Sequence, residues 1–129
     1  MNLTELIDYV NTTYGAAPEY LWPDYPQTFV FRHADNRKWF GVVMDVERSK
    51  LGLPGTGKVF LIDVKTGPIL GGSYLGQAGV VKAWHMNKNH WLGILLDGSA
   101  ADQTIKELLD ISYSLTEKAT GKAPIMERR

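Results

Sequence analysis

Two clusters of basic and amide side chains, each at a connection between two apolar runs, are the residues of this chain best suited to engage another molecule. Arg32, Arg37 and Lys38 surround the segment His33–Arg37. Lys82, His85, Lys88 and His90 surround a second segment, which also carries Asn87 and Asn89. Long cationic side chains on protruding hairpins can contact phosphates and enter a groove. A plainer role suits the same residues: lysines at hairpin tips and sheet edges keep strands from pairing with other chains. Trp39, Trp84 and Trp91 lie close by in sequence. Each adjoins aliphatic strand residues, so core packing is expected of them before stacking on a base.

Other motifs lead to less. Gly52-Leu-Pro-Gly-Thr-Gly-Lys58 fits the phosphate-loop pattern G-x-x-x-x-G-K, but Val59 stands where a magnesium-binding hydroxyl is needed. The residues after it, Phe60-Leu-Ile62, read as strand where that chemistry needs a helix start. His85 and His90 are only two ligands, and neither a cysteine nor a nearby carboxylate completes a zinc set. Ser73 follows Gly71 and Gly72, yet Leu75 replaces the second glycine of a nucleophile elbow. Ser99, Ser112 and Ser114 have no such setting either. Asp45, Glu47, Asp63 and Asp97 fall at or near strand ends, where carboxylates can act as acids or bases but also cap turns and pair with lysines. No enzyme signature emerges, and no cofactor is expected.

Composition narrows the field. The 129 residues suit one domain, and 44% hydrophobic with 22% charged side chains is ordinary for a globular protein. Cysteine is absent, which removes disulfides, thiolate nucleophiles and Cys-based metal sites together. No apolar run nears the ~20 residues of a membrane-spanning helix. The acidic, amphipathic start Met1–Asp8 lacks the basic opening of a secretory signal, so a cytoplasmic location without membrane association is expected. The 14 basic and 14 acidic residues balance, but unevenly. Residues 1–31 carry −4, residues 32–92 carry nine basic and four acidic groups for +5, and the remainder carries −1. The strand-rich middle is the positive part, which favours an anionic partner.

The spacing of Leu3, Leu6, Ile7 and Val10 predicts a helix over Leu3–Tyr14, capped by Asn2 with Glu5 and stopped at Gly15. Residues 16–27, with three prolines and three large aromatics, predict an ordered loop. Strands are expected at Thr28–Arg32, Lys38–Val46 and Lys58–Lys65, with a loop at Glu47–Gly57. Thr66-Gly67-Pro68 opens a short helix to about Tyr74. A hairpin over residues 79–97 follows, with strands Val80–Trp84 and Trp91–Leu96. A final helix over Ala100–Thr120 would start from a Ser99 cap with Asp102 three residues on, and stop at Gly121 before Pro124. The order α-β-β-β-α-β-β-α predicts an α+β two-layer sandwich with a five-stranded antiparallel sheet. Two strands are apolar on both sides: Trp39 and Val43 alternate with Phe40, Val42 and Met44, and Trp91 and Leu95 with Leu92, Ile94 and Leu96. The second sheet face therefore needs a cover, from residues 16–27, residues 47–57 or another chain.

The hairpin Gly79-Val-Val-Lys-Ala-Trp-His-Met-Asn-Lys-Asn-His-Trp-Leu-Gly-Ile-Leu-Leu-Asp97, with Ile111-Ser-Tyr-Ser-Leu115 after it, resembles the YjbR/MmcQ family of small bacterial proteins. The resemblance implies this element order, in a fold akin to secretion chaperones and frataxin-like (CyaY-like) proteins. It also implies a double-wing mode of DNA binding. Carried over, that mode makes Arg32, Arg37, Lys38, Lys82 and Lys88 phosphate contacts and Asn87 or Asn89 base-edge contacts. One departure is Lys65-Thr-Gly-Pro68, where many relatives have Lys-Cys-Asp-Pro, so any role of that cysteine or aspartate does not transfer. The leading expectation is a non-enzymatic protein binding DNA weakly and salt-dependently. Its rival is an adaptor or homodimer that uses the second sheet face to hold another protein chain.

Overall fold

Asn2 begins the first helix, α1 (Leu3–Tyr14), by accepting a hydrogen bond from the Glu5 N–H while the Glu5 carboxylate accepts from the Asn2 N–H, both at 2.9 Å. Gly15 ends it at φ +70°, as a left-handed cap should. The computed structural model describes residues 1–118. Five strands follow: β1 (Phe29–Arg32), β2 (Trp39–Glu47), β3 (Lys58–Lys65), β4 (Val80–Lys82) and β5 (Trp91–Leu95). The short α2 (Pro68–Tyr74) separates β3 from β4, and α3 (Asp102–Thr116) closes the domain. The sheet order is β1-β2-β3-β5-β4, with every neighbouring pair antiparallel. This is the expected α+β arrangement.

Three local expectations give way. Ser99 does not cap α3. Its N–H and hydroxyl both donate to Asp97 Oδ1, at 3.0 and 2.5 Å, and the helix starts after Ala101. The Met1 ammonium instead meets Asp102 at 2.8 Å, placing a positive charge on the first-turn carboxylate. At its other end α3 stops at Thr116, whose hydroxyl turns back onto the Ser112 carbonyl at 2.8 Å. The stop expected at Thr120, Gly121 and Pro124 lies outside the described residues. The loop of residues 47–57 contains a one-turn 3-10 helix, Arg48–Leu51.

Leu6 and Val10 of α1 and Ile105, Leu108 and Leu109 of α3 cover one sheet face, against Phe29, Phe31, Val43, Ile62, Val64 and Ile94. The second face has its own apolar cluster of Val30, Val42, Met44, Val46, Val59, Leu61 and Leu95. Trp22, Leu51 and Leu53 cover it from both candidate loops, and Trp84 and Met86 of the β4–β5 connection cover the rest. Sequence alternation assigns Trp39 to the face of Val43, opposite Phe40, Val42 and Met44. A β-bulge reverses this: Phe31 pairs with Gly41 and Arg32 with Trp39, leaving Phe40 as the extra residue. Phe40 thus joins the helix side and Trp39 the second face with Val42 and Met44.

Asp63 sits in the middle of β3 between Val42 and Gly93, fully buried. Its Oδ1 accepts from the Trp84 N–H at 3.2 Å, while Oδ2 has no partner. Burial pushes its pKa from 3.8 up to about 8, although the Trp84 N–H and the Lys88 charge pull the other way. The carboxyl is therefore protonated at neutral pH. It ionises in the unfolded chain above pH 3.8 but in the native one only near 8, so folding stability falls through that window. The fall is bounded at about 1.4 kcal/mol per pH unit. Asp63→Asn keeps the Oδ1 acceptor and should flatten the pH dependence, with the variant more stable than the parent in chemical denaturation at pH 8. Equal pH slopes for the two proteins would contradict the assignment. Gly79 has φ +77°, and a Cβ there would lie 2.5 Å from the Ala100 nitrogen. Gly79→Ala should cost at least about 2 kcal/mol in the same measurement.

Candidate nucleic-acid interface

β1 and β4 both run toward the end of the sheet where β3 stops at Lys65, so both hairpins turn there. The β1–β2 tip is tightly built. His33 N–H donates to the Lys38 carbonyl at 2.9 Å and Arg37 N–H to the His33 carbonyl at 3.1 Å. The Asn36 side chain accepts from the Lys38 N–H and donates to the Thr116 carbonyl at the end of α3, both at 2.9 Å. His33 is buried against Phe40 and Tyr113, with Nε2 2.8 Å from the Thr116 hydroxyl. Arg37 occupies the left-handed region at φ +68°, unusual for a residue with a side chain. Arg37 and Lys38 both face solvent.

The β4–β5 tip is closed by Asn87, whose carbonyl accepts from the His90 and Trp91 N–H groups at 3.0 and 2.9 Å. Its side-chain oxygen accepts from the Asn89 N–H at 2.9 Å, so Asn87 builds the turn. The His90 carbonyl accepts from the Thr66 and Gly67 N–H groups, tying this tip to the end of β3. Lys82, Lys88 and Asn89 are exposed beside α2 and line a small hollow there with Gly67 and Gly71. His85, at φ +61°, packs on Trp84, 4.8 Å between rings.

Arg32 is placed differently from the other basic residues. Its side chain is 14% exposed, and Nε lies 3.1 Å from Glu19 Oε1, so its charge is neutralised within the fold. Lys65 adds a cation at this end of the sheet that the sequence did not single out. It lies between the two tips, lining a cleft of about 330 Å³ with Arg37, Lys38, Trp39, Trp91 and Thr116. Ser112 fixes this geometry from beneath. Its buried hydroxyl accepts from the Lys65 N–H at 2.8 Å and donates to the Phe40 carbonyl at 2.6 Å, joining α3 to β3 and to the bulge of β2. The sequence reading weighed Ser112 only as a nucleophile; its periodicity with Leu108 and Leu109 is the signal for a buried, bonded hydroxyl.

Two ion pairs lie at the far end of the sheet. Asp45 meets Lys58 and Arg48 meets Asp97, each at 3.6 Å, at the end opposite the tips. Among the described residues, Arg37, Lys38, Lys65, Lys82 and Lys88 enter no ion pair. Gly52–Lys58 runs directly into β3, so the loop opens a strand and not a helix. No described helix is long and apolar enough to cross a membrane. On the second face, Trp39 also walls a larger groove of about 450 Å³, whose lining includes Trp22, Tyr25, Met44, His85 and Met86.

Comparison with known proteins agrees with this architecture. The family model YjbR matches residues 11–115. The Bacillus subtilis (strain 168) protein YyaQ, described as uncharacterized, is 32% identical over 113 residues, spanning 88% of this chain and 96% of that one. A crystal structure of a Pseudomonas syringae protein superposes with a TM-score of 0.87 at 39% identity, covering 91% of this chain and all of that one. A solution structure from the same organism gives 0.84 at 37%, covering 95% and 98%. The Deinococcus radiodurans protein DR2400 shares the fold at a TM-score of 0.63 and 19% identity, over 88% of this chain and 77% of that one. With both hairpins, the central strand and all of α3 but Thr116 inside the matched span, this chain belongs to the YjbR family.

Proposed function

We propose that the protein binds DNA weakly through the cationic end of its sheet, gripping phosphates with Arg37, Lys38, Lys65, Lys82 and Lys88. The observation that carries this reading is the emergence of both basic hairpins at one end, where Arg37, Lys38, Lys65, Lys82 and Lys88 enter no ion pair among the described residues; at the other end Lys58 and Arg48 are paired and Lys50 is not. β2 and β5 flank β3, so by ordinary strand spacing the two rims stand about 10 Å apart. Asn87 and Asn89 are both exposed, and Asn89 is the amide left to a base edge because the Asn87 side-chain oxygen holds the turn. The adaptor reading has a narrower motive, because Trp22, Leu51, Leu53, Trp84 and Met86 of the same chain cover much of the second face and leave open the groove beside Trp39.

With no net charge on the whole chain, affinity rests on the local cations. About four or five phosphate contacts give a slope of about −4 in log affinity against log salt, and nonspecific binding on the order of 10⁻⁴–10⁻⁵ M at physiological salt. Fluorescence anisotropy on duplex DNA should therefore show binding at low salt that weakens about 250-fold between ~50 and ~200 mM. Changing Arg37, Lys38 and Lys88 together to glutamate should abolish it. Absence of binding at ~100 μM protein in low salt, or binding indifferent to those changes, would sink the reading. Arg37→Gly separates stability from binding: it should relieve the left-handed backbone, raising stability by up to about 1 kcal/mol, while weakening DNA. An Arg37→Gly variant of unchanged DNA affinity would remove Arg37 from the interface.

A further inference from the structure

We infer that the aromatic groove beside the cationic cleft takes an unpaired base, so that the preferred ligand of this end is single-stranded DNA. The inference rests on the proposed phosphate contacts and deepens them. Trp39 is the hinge of the argument. Its half-buried indole lines both the cleft that holds Arg37, Lys38 and Lys65 and the groove that holds Trp22, Tyr25 and Met86. A nucleotide whose base lay in the groove would carry its phosphate past Trp39 to those cations. Apolar surface and charge thus meet at Trp39, the arrangement that binds single strands by stacking along a cationic track.

The groove has the right character for a base. Its volume falls in the ~300–1,000 Å³ range of sites that enclose small molecules. Trp22 meets Trp39 edge to face at 5.7 Å, and Tyr25 stands 66% exposed at the rim. Aromatic faces accept any base, and the Met44 and Met86 thioethers adapt to its shape. The outer wall is built in advance. Tyr25 N–H donates to the Trp22 carbonyl and Thr28 N–H to the Tyr25 carbonyl, both at 3.0 Å, between Pro23 and Pro26. Little ordering is then required on binding. A paired base reaches such a groove only after unstacking, which costs a few kcal/mol in duplex DNA and least in a single strand.

The probe is a fluorescein-labelled oligothymidylate of about twelve nucleotides, with its duplex and the ribonucleotide of the same sequence as comparisons. The single strand should bind at least about ten-fold more tightly than the duplex and quench tryptophan emission. Tyr25→Ala, a change at an exposed side chain that leaves the core intact, should weaken the single strand about five-fold or more and spare the duplex. Trp39→Leu should act in the same direction, and Lys38→Glu should weaken both ligands. Equal affinity for single strand and duplex, or single-strand binding unmoved by Tyr25→Ala, overturns the base site while leaving phosphate binding in place. Tighter binding of the ribonucleotide overturns the assignment to DNA. A dimer in light scattering that Tyr25→Ala dissociates shows the groove filled by a second copy and overturns the inference as well. No binding of any nucleic acid defeats the proposed function and this inference together.

Discussion

β3 lies between two hairpins in a sheet where every pairing is antiparallel, and that constraint decides where both hairpins turn. A strand flanked by β2 and β5 forces each of them to begin where β3 ends. The β1–β2 and β4–β5 connections therefore crown the same edge of the domain, with Lys65 between them. Exchanging the order of β4 and β5 in the sheet would move no charge in the sequence, yet would alter which cations share a surface. The cationic edge is thus a product of topology as much as of composition, since the chain as a whole carries no net charge.

Small polar groups hold that edge in register. The Ser112 hydroxyl bonds one group on β2 and one on β3, and His33 and Asn36 dock the first tip onto Thr116. The His90 carbonyl docks the second tip onto the Thr66 and Gly67 N–H groups. Each is a buried or half-buried hydrogen bond whose loss would leave a polar group without its partner. Two side-chain-bearing residues in left-handed backbone, Arg37 and His85, one at each tip, are the strain this bracing sustains. Asp63 contributes differently: neutral in its native setting, it leaves the positive charge of the central strands less opposed.

Much of this was legible in the chain. The Asn2 cap, the Gly15 stop, the strand at Lys58–Lys65 and the α+β element order follow from local rules that the structure obeys. The need to cover a second sheet face was also visible, because Val42, Met44 and Leu95 alternate with residues of the helix side. What could not be read is non-local. The bulge that turns Trp39 to the second face arises from the pairing of β1 with β2, and no local pattern marks Phe40 as its extra residue. Arg32 looked equivalent to Arg37 until the fold brought Glu19 beside it. Lys65 looked like an ordinary strand end until topology set it between two tips. Ser99 matched a capping pattern, but Asp97, two residues away, competed successfully for its hydroxyl.

The proposed DNA binding requires the two hairpin tips and the end of β3 to act as a single nucleic-acid surface. Backbone amide shifts of isotopically labelled protein, followed by NMR during titration with DNA in low salt, test it most directly. Perturbations should cluster at residues 36–39, 65–67 and 82–91, with residues 45–58 silent. Shifts confined to one hairpin, or centred on the Asp45–Lys58 end, would contradict it.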